Sequence, residues 1–276
     1  MLKILQIILF LSLCSSVFAK DTLVFSPLPM ENAKVTLTQF TPMIKYLEKK
    51  LNKKITIDYN KNYADILEKF KQNKIDLAYL GPLPYIELKE KYPSAIPLVH
   101  FKNSNGDAFY TCSLITFATT NTKIKNIINK KIALTQPLST CGYLSVNALL
   151  KEQNNTLENN KYRYLGRHDT VALSVVRGEF GFGGVKSSIA KKYSNLGLKE
   201  LATTPLLPGF SLVGNKATIK TATLNKIIQI IKNAQKEEFQ CWGKNIRYGS
   251  KEAKDSDYDN LRILKGITNI PKKGNF

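Results

Sequence analysis

The sequence has few of the side chains that usually bind metal ions. It contains four cysteines and two histidines in 276 residues. It has no Cys-x-x-Cys motif and no cysteine and histidine at the spacing of a zinc ligand set. Structural zinc sites draw their ligands from such groups. A structural zinc site is therefore not expected, and the sequence predicts no cofactor.

The common signatures of hydrolases are also missing. The chain has no Gly-x-Ser-x-Gly motif, no His-Glu-x-x-His motif and no pair of carboxylates at a strand end. Cys141 and His168 could form a thiol–imidazole pair, but nothing in the sequence places a third group to orient them. We therefore predict that the protein is not an enzyme.

Acidic residues are scarce relative to basic ones. The chain has 41 Lys and Arg against 21 Asp and Glu, a net charge of +20. The lysines are scattered and lie mostly on the polar faces of predicted helices, so nucleic acid is not predicted as a partner. A strongly basic protein concentrates anions near itself and suits an anionic membrane surface.

Long apolar runs are absent beyond the first 19 residues. Residues 1–19 combine Lys3, the apolar run ILQIILFLSLC and the small-residue end SSVFA, which is the pattern of a cleavable signal peptide. The run is short for a membrane span, and Leu13 before Cys14 disfavours lipid attachment there. We expect cleavage after Ala19 and export of a soluble protein.

Three cysteines remain after cleavage, namely Cys112, Cys141 and Cys241. An odd number leaves at least one thiol unpaired within the chain. Cys241 precedes Trp242 in a predicted C-terminal helix, and we expect it to be a packing residue.

Apolar periodicity alternates between strand and helix along the chain. DTLVFSPL predicts a strand, and TQFTPMIKYLEKKLN predicts a helix with Pro42 near its start. FYTCSLITFATT is one long β-rich run, and KTATLNKIIQIIKNAQKEEFQ predicts one long helix. Strands separated by helices of ordinary length indicate a parallel, doubly wound α/β architecture.

The segment ALTQPLSTCGYLSVNALLKEQ (133–153) places small polar residues where a strand leads into a helix. Ligands of doubly wound sheets bind beyond the carboxyl ends of strands. Ser139 is placed as the N-cap, and the N–H groups of Cys141, Gly142 and Tyr143 would then lack helical partners. Together with the helix dipole they would seat a tetrahedral or carboxylate anion. The alternative is an ordinary N-cap without a ligand.

Several segments, in order and over most of the chain, resemble the PhnD-like periplasmic binding proteins of ABC transporters for phosphonate, phosphite or phosphate. The matching segments are TPMIKYLEKKLNKKI, YADILEKFKQNKIDLAYLGP, FYTCSLITF, PLSTCGYL, GRHDTVALSVVRGEFGFGGVKSS, TPLLPGF and DYDNLRIL. The resemblance implies a type II periplasmic-binding-protein fold, with two α/β lobes joined by a two-strand hinge and the ligand held between them. By that analogy residues 20–110 and 208–276 form lobe 1, and residues 111–207 form lobe 2.

The resemblance also implies ligand contacts. The positions that match the family's contacts are Tyr63, Tyr110, Ser139, Thr140, Cys141, Gly142 and His168. The two tyrosines match residues that close on the ligand from the other lobe and the hinge. The four consecutive residues match the Ser-Thr-Ser-Gly turn that grips phosphoryl oxygens, and the histidine matches the one that opens a His-Asp or His-Glu pair.

Two positions depart from the family in charge. Lys186 stands where the family usually has an acidic residue suited to the amine of an aminophosphonate, and Phe210 follows a Pro-Gly pair where an acid can occur. A lysine attracts an anion and repels an ammonium group. Lys186 is therefore included among the predicted ligand contacts, and it indicates an oxyanion without an amine. The alternative is that Lys186 points to solvent.

The cysteines are a second departure. Cys141 replaces the third hydroxyl residue of the turn, and Cys112 falls where the family often has serine. Three interpretations stay open here: a disulfide that braces lobe 2, two free thiols beside a soft ligand such as trivalent arsenic, or an inert substitution.

The predicted function is that of a monomeric periplasmic receptor. It would capture a small oxyanion, phosphonate-, phosphite- or phosphate-like, and deliver it to an ABC permease in the inner membrane. The alternative is a receptor of the same fold that engages a membrane histidine kinase and binds an arsenic oxyanion through Cys112 and Cys141.

Overall fold

A computed structural model describes residues 21–276 as two lobes, each built on its own sheet. The strands are β1 (Thr22–Pro27), β2 (Lys54–Ile57), β3 (Leu77–Leu80), β4 (Ala95–Phe101), β5 (Phe109–Tyr110), β6 (Cys112–Phe117), β7 (Lys131–Leu134), β8 (Lys161–Tyr164), β9 (Phe182–Lys186), β10 (Leu198–Thr203), β11 (Leu207–Pro208), β12 (Ser211–Asn215) and β13 (Ser250–Glu252). The α-helices are α1 (Ala33–Leu51), α2 (Tyr63–Lys71), α3 (Pro82–Lys91), α4 (Tyr143–Lys151), α5 (His168–Val176), α6 (Ser187–Lys192), α7 (Thr221–Lys232), α8 (Lys236–Gln240) and α9 (Asp259–Gly266). Short 3-10 helices lie at Ile124–Asn126, Leu157–Asn159, Ser194–Leu196 and Asp255–Tyr258.

The predicted signal peptide, residues 1–19, lies outside the described residues. Across residues 21–276, no helix combines the length and the apolar character that crossing a bilayer requires.

Lobe 1 is built on a six-stranded sheet with the order β13-β4-β12-β3-β1-β2. Strand β1 is parallel to β2 and β3, whereas β12 is antiparallel to β3 and β4. The core is one continuous cluster rich in aromatic rings. The ring of Phe40 lies 5.4 Å from that of Phe25 and 4.8 Å from that of Tyr79, between centroids.

Lobe 2 is built on a five-stranded sheet with the order β10-β6-β9-β7-β8. Strand β7 is parallel to β8 and β9, whereas β6 is antiparallel to β9 and β10. Ile132 and Leu134 belong to one apolar cluster and Ala133 to another. Because successive side chains of a strand point to opposite faces, the two clusters cover the two faces of this sheet.

The chain crosses between the lobes at β5 and β11, which pair with each other as an antiparallel two-stranded ribbon. This ribbon is the two-strand hinge. Strands β6 and β12 follow the crossings directly, and each enters its sheet antiparallel to its neighbours. The predicted parallel, doubly wound architecture is therefore confirmed for β1 to β3 and for β7 to β9. It does not extend to β6 and β12, because a strand that arrives from the other lobe is not part of a β-α-β unit.

Helix α1 begins earlier than predicted. The Asn32 side chain accepts a hydrogen bond from the N–H of Val35 at 2.9 Å and caps the helix before Ala33. Pro42 therefore lies inside the helix rather than near its start. A proline there has no N–H to donate, so the helix lacks one hydrogen bond.

Three other elements differ from the predicted pattern. The predicted C-terminal helix is broken into α7 and α8, because the N–H of Gln235 donates to Glu238 Oε2 at 2.7 Å and starts a new helix. The β-rich run 109–120 is divided between the hinge and lobe 2. Helix α3 was not predicted, because Pro82 and Pro84 in the sequence indicate a turn. Both lie in the first turn of the helix, where proline is tolerated.

The C-terminal tail makes a third connection between the lobes. The N–H of Asn275 donates to the carbonyl of Tyr162 at 3.1 Å, and the N–H of Tyr162 donates to Asn275 Oδ1 at 2.7 Å. The Arg163 guanidinium lies 4.4 Å from the ring centroid of Phe276. The tail thus lies along the edge strand β8 of lobe 2, although α9 just before it packs on α3 of lobe 1.

Candidate functional site

The loop between β7 and α4 folds as two consecutive turns. The N–H of Ser139 donates to the carbonyl of Gln136 at 2.9 Å, and the N–H of Gly142 donates to the carbonyl of Ser139 at 3.0 Å. Helix α4 then begins at Tyr143, with Gly142 as its N-cap and no side-chain cap. Ser139 is therefore not the N-cap, because the second turn places the start of the helix further along the chain.

The backbone N–H groups at this loop are only partly as predicted. That of Gly142 is used within the loop, as described above. Within residues 21–276, those of Cys141 and Tyr143 donate to no oxygen. A Cβ on Gly142 would lie 2.8 Å from the carbonyl oxygen of Gln136, so only glycine fits this turn. Two N–H groups at the start of α4 are thus available to an anion.

The loop is anchored by a disulfide between Cys141 and Cys112, whose Cα atoms are 5.1 Å apart. Of the three interpretations of these cysteines, the structure has the disulfide that braces lobe 2. The interpretation with two free thiols is wrong, because each sulfur is bonded to the other. Among the cysteines of residues 21–276, Cys241 is the one that is free; it is exposed, so its prediction as a packing residue is also wrong. Helix α8 ends at Gln240, and Trp242 takes the buried position beside it.

His168 is the first residue of α5, and only 1% of its surface is exposed. Its Nδ1 accepts a hydrogen bond from the N–H of Lys186 at 3.1 Å. Burial, and after it the charge of Lys186, lower the pKa of His168 to about 3. The imidazole is therefore neutral at physiological pH, and its proton is on Nε2. His168 can donate one hydrogen bond to an oxyanion.

Lys186 ends β9 and does not point simply to solvent. Its Nζ lies 4.6 Å from the ring centroid of Phe210 and 5.3 Å from that of Tyr110. Burial lowers the pKa of Lys186 to about 8. Within residues 21–276 its ammonium forms no ion pair with a carboxylate, unlike Lys192, which pairs with Glu31. The ammonium is therefore available to a ligand anion.

Two tyrosines approach the loop from lobe 1 and the hinge. Tyr63 begins α2, and Tyr110 ends the hinge strand β5. Burial raises the pKa of both phenols, and the neighbouring hydroxyls of Ser139 and Thr140 partly offset that effect. Both phenols are therefore protonated donors. The buried hydroxyl of Tyr110 has no hydrogen-bond partner within residues 21–276.

These groups surround a small cavity between the lobes, of about 10 Å³. Its wall includes six of the eight predicted residues, namely Tyr63, Tyr110, Ser139, Thr140, Cys141 and His168. Gly142 lies just behind it at the start of α4, and Lys186 faces an adjoining larger cavity. We refer to the small cavity with its wall as the anion seat. Its volume is close to that of a single water site. That these residues contact a ligand stays a prediction.

The sequence did not predict two contacts that join the lobes at the seat. Gln136 Oε1 accepts from the N–H of Tyr63 at 2.9 Å. Thr140 Oγ1 accepts from the N–H of Leu83, in the first turn of α3, at 3.0 Å. Thr140 is thus an acceptor towards lobe 1 and keeps its hydroxyl proton for a ligand. The one sequence signal was the polar Gln136 between the strand and Pro137.

The charge at the site that is not paired within the protein is positive. No carboxylate lines the anion seat, and the adjoining cavity has only Glu31, which is already paired with Lys192. The remaining polar groups are hydroxyls, N–H groups, a neutral imidazole and an ammonium. Such a set stabilises an oxyanion and lacks a free carboxylate to pair with an ammonium group.

Comparisons with known proteins agree with this geometry. A family model described as "ABC transporter, phosphonate, periplasmic substrate-binding protein" matches residues 25–258. The phosphate-import protein PhnD of Mycolicibacterium smegmatis is 24% identical over 282 residues, which are 91% of this chain and 87% of that protein.

Solved structures show the same fold. PhnD1 of Prochlorococcus marinus, determined in complex with methylphosphonate, has a TM-score of 0.79 at 18% identity over 89% of this chain and 97% of that one. A binding protein of an ABC phosphonate transporter from Pseudomonas aeruginosa has a TM-score of 0.79 at 17% identity over 88% and 85% of the two chains. With the family model matching most of its length, this chain belongs to the periplasmic substrate-binding proteins of phosphonate ABC transporters, a family of binding proteins and not of enzymes.

Proposed function

We propose that the protein captures a small oxyanion without an amine, namely phosphite, phosphate or a simple phosphonate. The observation that carries this proposal is that hydrogen-bond donors from both lobes converge on the anion seat while no carboxylate lines it. The family's usual acidic residue would hold an ammonium group, and Lys186 stands in its place. An aminophosphonate would meet a positive charge there.

The proposed contacts of lobe 2 are supported by the positions of these groups at or beside the anion seat. Ser139 and Thr140 donate their hydroxyl protons, and the N–H groups of Cys141 and Tyr143 donate from the start of α4. His168 donates through Nε2. These groups all belong to lobe 2 and would stabilise the oxyanion through directed hydrogen bonds. Each of these hydrogen bonds is stronger because the acceptor is charged.

The hinge side and lobe 1 complete the proposed site. Tyr63 of lobe 1 and Tyr110 of the hinge donate their phenolic protons, and Lys186, at the end of β9 in lobe 2, supplies a positive charge beside them. The seat is close to the size of one water, so a phosphoryl group enters only if the lobes separate. We propose that residues 20–110 with 208–276 and residues 111–207 move as two bodies about the hinge ribbon and close on the ligand.

The proposed destination of the ligand is an ABC permease in the inner membrane, reached by a monomeric protein exported through residues 1–19. A histidine kinase as the partner is the second proposal. A receptor for a histidine kinase would have the same fold and the same anion seat. Cys112 and Cys141 are joined in a disulfide, however, and so do not offer the two thiols that an arsenic ligand would need. In a strain lacking the gene, loss of growth on the ligand as a phosphorus source would favour transport, and loss of a transcriptional response would favour sensing.

The test of the ligand is calorimetric titration of the exported protein with phosphite, phosphate, methylphosphonate, aminoethylphosphonate and sulfate. We expect at least one of the first three to bind with a Kd in the micromolar range or below, and aminoethylphosphonate to bind more weakly. Tight binding of aminoethylphosphonate alone would overturn the proposal. If none of the phosphorus compounds binds, the proposed ligand class is wrong, although the chain still has the fold of the family.

A further inference from the structure

A second and larger cavity adjoins the anion seat. It has a volume of about 310 Å³ and shares Tyr110 and Phe210 with the wall of the seat. The seat itself has about 10 Å³. A phosphite or methyl group therefore does not account for the larger space. Its volume lies at the lower end of that of ordinary ligand pockets.

The wall of this larger cavity is strongly basic. Four lysines line it, namely Lys102, Lys186, Lys192 and Lys244. The one carboxylate in the wall, that of Glu31, is paired with Lys192. Across residues 21–276, none of the other three lysines forms an ion pair. The cavity therefore holds an excess of three positive charges with no protein anion to balance them.

Lys186 connects the seat to the larger cavity. Its N–H donates to Nδ1 of His168, which lines the seat. Its Nζ lies over the ring of Phe210, at 4.6 Å from the centroid, and lines the larger cavity. A ligand with its phosphoryl group at His168 can thus extend past Phe210 towards Lys186 and into the cavity that the other three lysines line.

We propose that the larger cavity is a subsite for a second anionic group, so that the preferred ligand is a phosphonate with a carboxylate at the other end of its carbon chain. This inference rests on the proposed function, because it needs the phosphonate head in the anion seat. A carboxylate pairs with unpaired lysines, an alkyl tail gains nothing from them, and an ammonium tail is repelled. The aromatic rings of Tyr110 and Phe210 suit the methylene groups between the two anionic ends.

The test uses calorimetry at about 0.15 M salt, where long-range attraction to a basic protein is largely screened. Phosphonoacetate, phosphonopropionate and phosphonobutyrate are each compared with the alkylphosphonate of the same chain length, and methylphosphonate reports on the head alone. We expect at least one phosphonocarboxylate to bind about tenfold or more tightly than its alkyl partner, because its carboxylate gains a charge-assisted hydrogen bond with an unpaired lysine.

Two double variants locate the effect. K102Q/K244Q removes two lysines of the larger cavity that lie outside the seat. It should reduce the phosphonocarboxylate affinity to that of the alkylphosphonate and leave methylphosphonate binding unchanged. K125Q/K151Q removes the same charge from exposed positions on lobe 2 and should change neither.

The possible failures are distinguishable. Equal affinities of phosphonocarboxylates and alkylphosphonates, with methylphosphonate still bound, would overturn the subsite and leave the proposed function intact. Equal losses in the two double variants would also overturn it, because the effect would then be that of net charge. Failure of methylphosphonate, phosphite and phosphate to bind would overturn the proposed function together with the subsite.

Discussion

Helices α1 and α2 of lobe 1 begin differently from helix α4 of lobe 2. In lobe 1, Asn32 and Asn62 cap α1 and α2 with side-chain hydrogen bonds of 2.9 and 2.8 Å. In lobe 2, α4 begins after Gly142, which provides no side-chain cap, whereas the first N–H of α5, that of His168, donates to the carbonyl of Met30 at 3.2 Å. A capped helix start has used its donors, whereas an uncapped one keeps them for an anion. The start of α4 in lobe 2 is therefore suited to hold negative charge.

Lobe 1 contributes packing and closure instead. Its core is one aromatic-rich cluster, while that of lobe 2 is divided between the two faces of its sheet. Where the N–H groups of Tyr63 and Leu83 reach the cleft, lobe 2 supplies the acceptors, Gln136 and Thr140. The loop that we propose as the anion seat therefore also holds the lobes together, so a change in this loop is expected to affect both binding and closure.

The largest expected effect comes from removing the hydroxyls that lobe 2 brings to the seat. The double variant S139A/T140A should lose at least about 100-fold in affinity for the bound phosphorus oxyanion, because two hydrogen bonds to a charged acceptor contribute about 1.5–3 kcal/mol each. Calorimetric titration measures the loss, and circular dichroism should show a folded protein. The matched variant S194A/T221A makes the same two changes at exposed positions and should bind normally. Normal binding by S139A/T140A would show that the assignment of the seat is wrong.

The second effect concerns the stability of lobe 2, which has the disulfide. The bond closes a loop with a sequence separation of 29, and closing a loop of that size contributes about 3.6 kcal/mol. The variant C112A/C141A should lower the melting temperature by on the order of 10 °C, and its loop should hold the anion less firmly. Differential scanning calorimetry measures the change, with C241A as the control that removes the exposed thiol.

A chemical titration checks the same pairing. The unfolded but unreduced protein should show one reactive thiol, that of Cys241, and three after reduction. Three thiols without reductant, together with an unchanged melting temperature in C112A/C141A, would restore the interpretation with two free thiols beside the ligand.

Two glycine-to-alanine variants, one in each lobe, distinguish a loss of stability from a loss of ligand affinity. A Cβ on Gly184, in β9, would lie 2.6 Å from the carbonyl oxygen of Cys141 and closer still to Val146. A Cβ on Gly214, in β12, would lie 2.6 Å from a methyl group of Leu224. Both G184A and G214A should lose about 1–3 kcal/mol of stability through overpacking.

Only the lobe 2 variant should affect the ligand. G184A presses on the backbone of the seat loop and should lower the anion affinity, whereas G214A meets the end of a flexible side chain in lobe 1 and should not. Chemical denaturation and calorimetric titration of both variants give the two quantities. Equal affinity in the two variants would mean that the seat loop tolerates displacement and is not a rigid anion site.

Much of the fold was predictable because it depends on local patterns. The alternation of strand and helix, and the loop at 135–142, follow from apolar periodicity and small polar residues. The start of α4 was missed by a few residues, because two successive turns leave Gly142 rather than Ser139 as the cap. Local composition shows that a turn is present but not how many turns follow each other.

The features that were not predictable depend on residues far apart in the chain. Gln136 meets Tyr63 across 73 positions, and Cys112 meets Cys141 across 29. No period or spacing encodes such contacts, and only the resemblance to a family placed the two tyrosines near the loop, whereas His168 also follows Gly-Arg at a predicted strand end and starts a predicted helix at the same cleft edge. The orientation of Lys186 towards Phe210 likewise needed three-dimensional structure, because both a solvent-facing and a cleft-facing lysine fit the sequence.

The smallest expected effect is the pH dependence that lobe 2 gives to binding. Burial lowers the pKa of Lys186 to about 8 in the free protein, and a bound oxyanion would raise it again. The ammonium is therefore charged below about pH 8 and is lost above it, so the affinity should be full at neutral pH and fall about tenfold by about pH 9. In lobe 1, burial raises the pKa of Tyr63 and Tyr79, so neither phenol titrates in this interval. His168, with a pKa of about 3, stays neutral throughout.

The variant K186M should bind more weakly at neutral pH and should not show this decline in affinity. Comparing the two proteins at each pH cancels the titration of the ligand itself. An unchanged decline in K186M would mean that the charge which attracts the anion does not reside at Lys186.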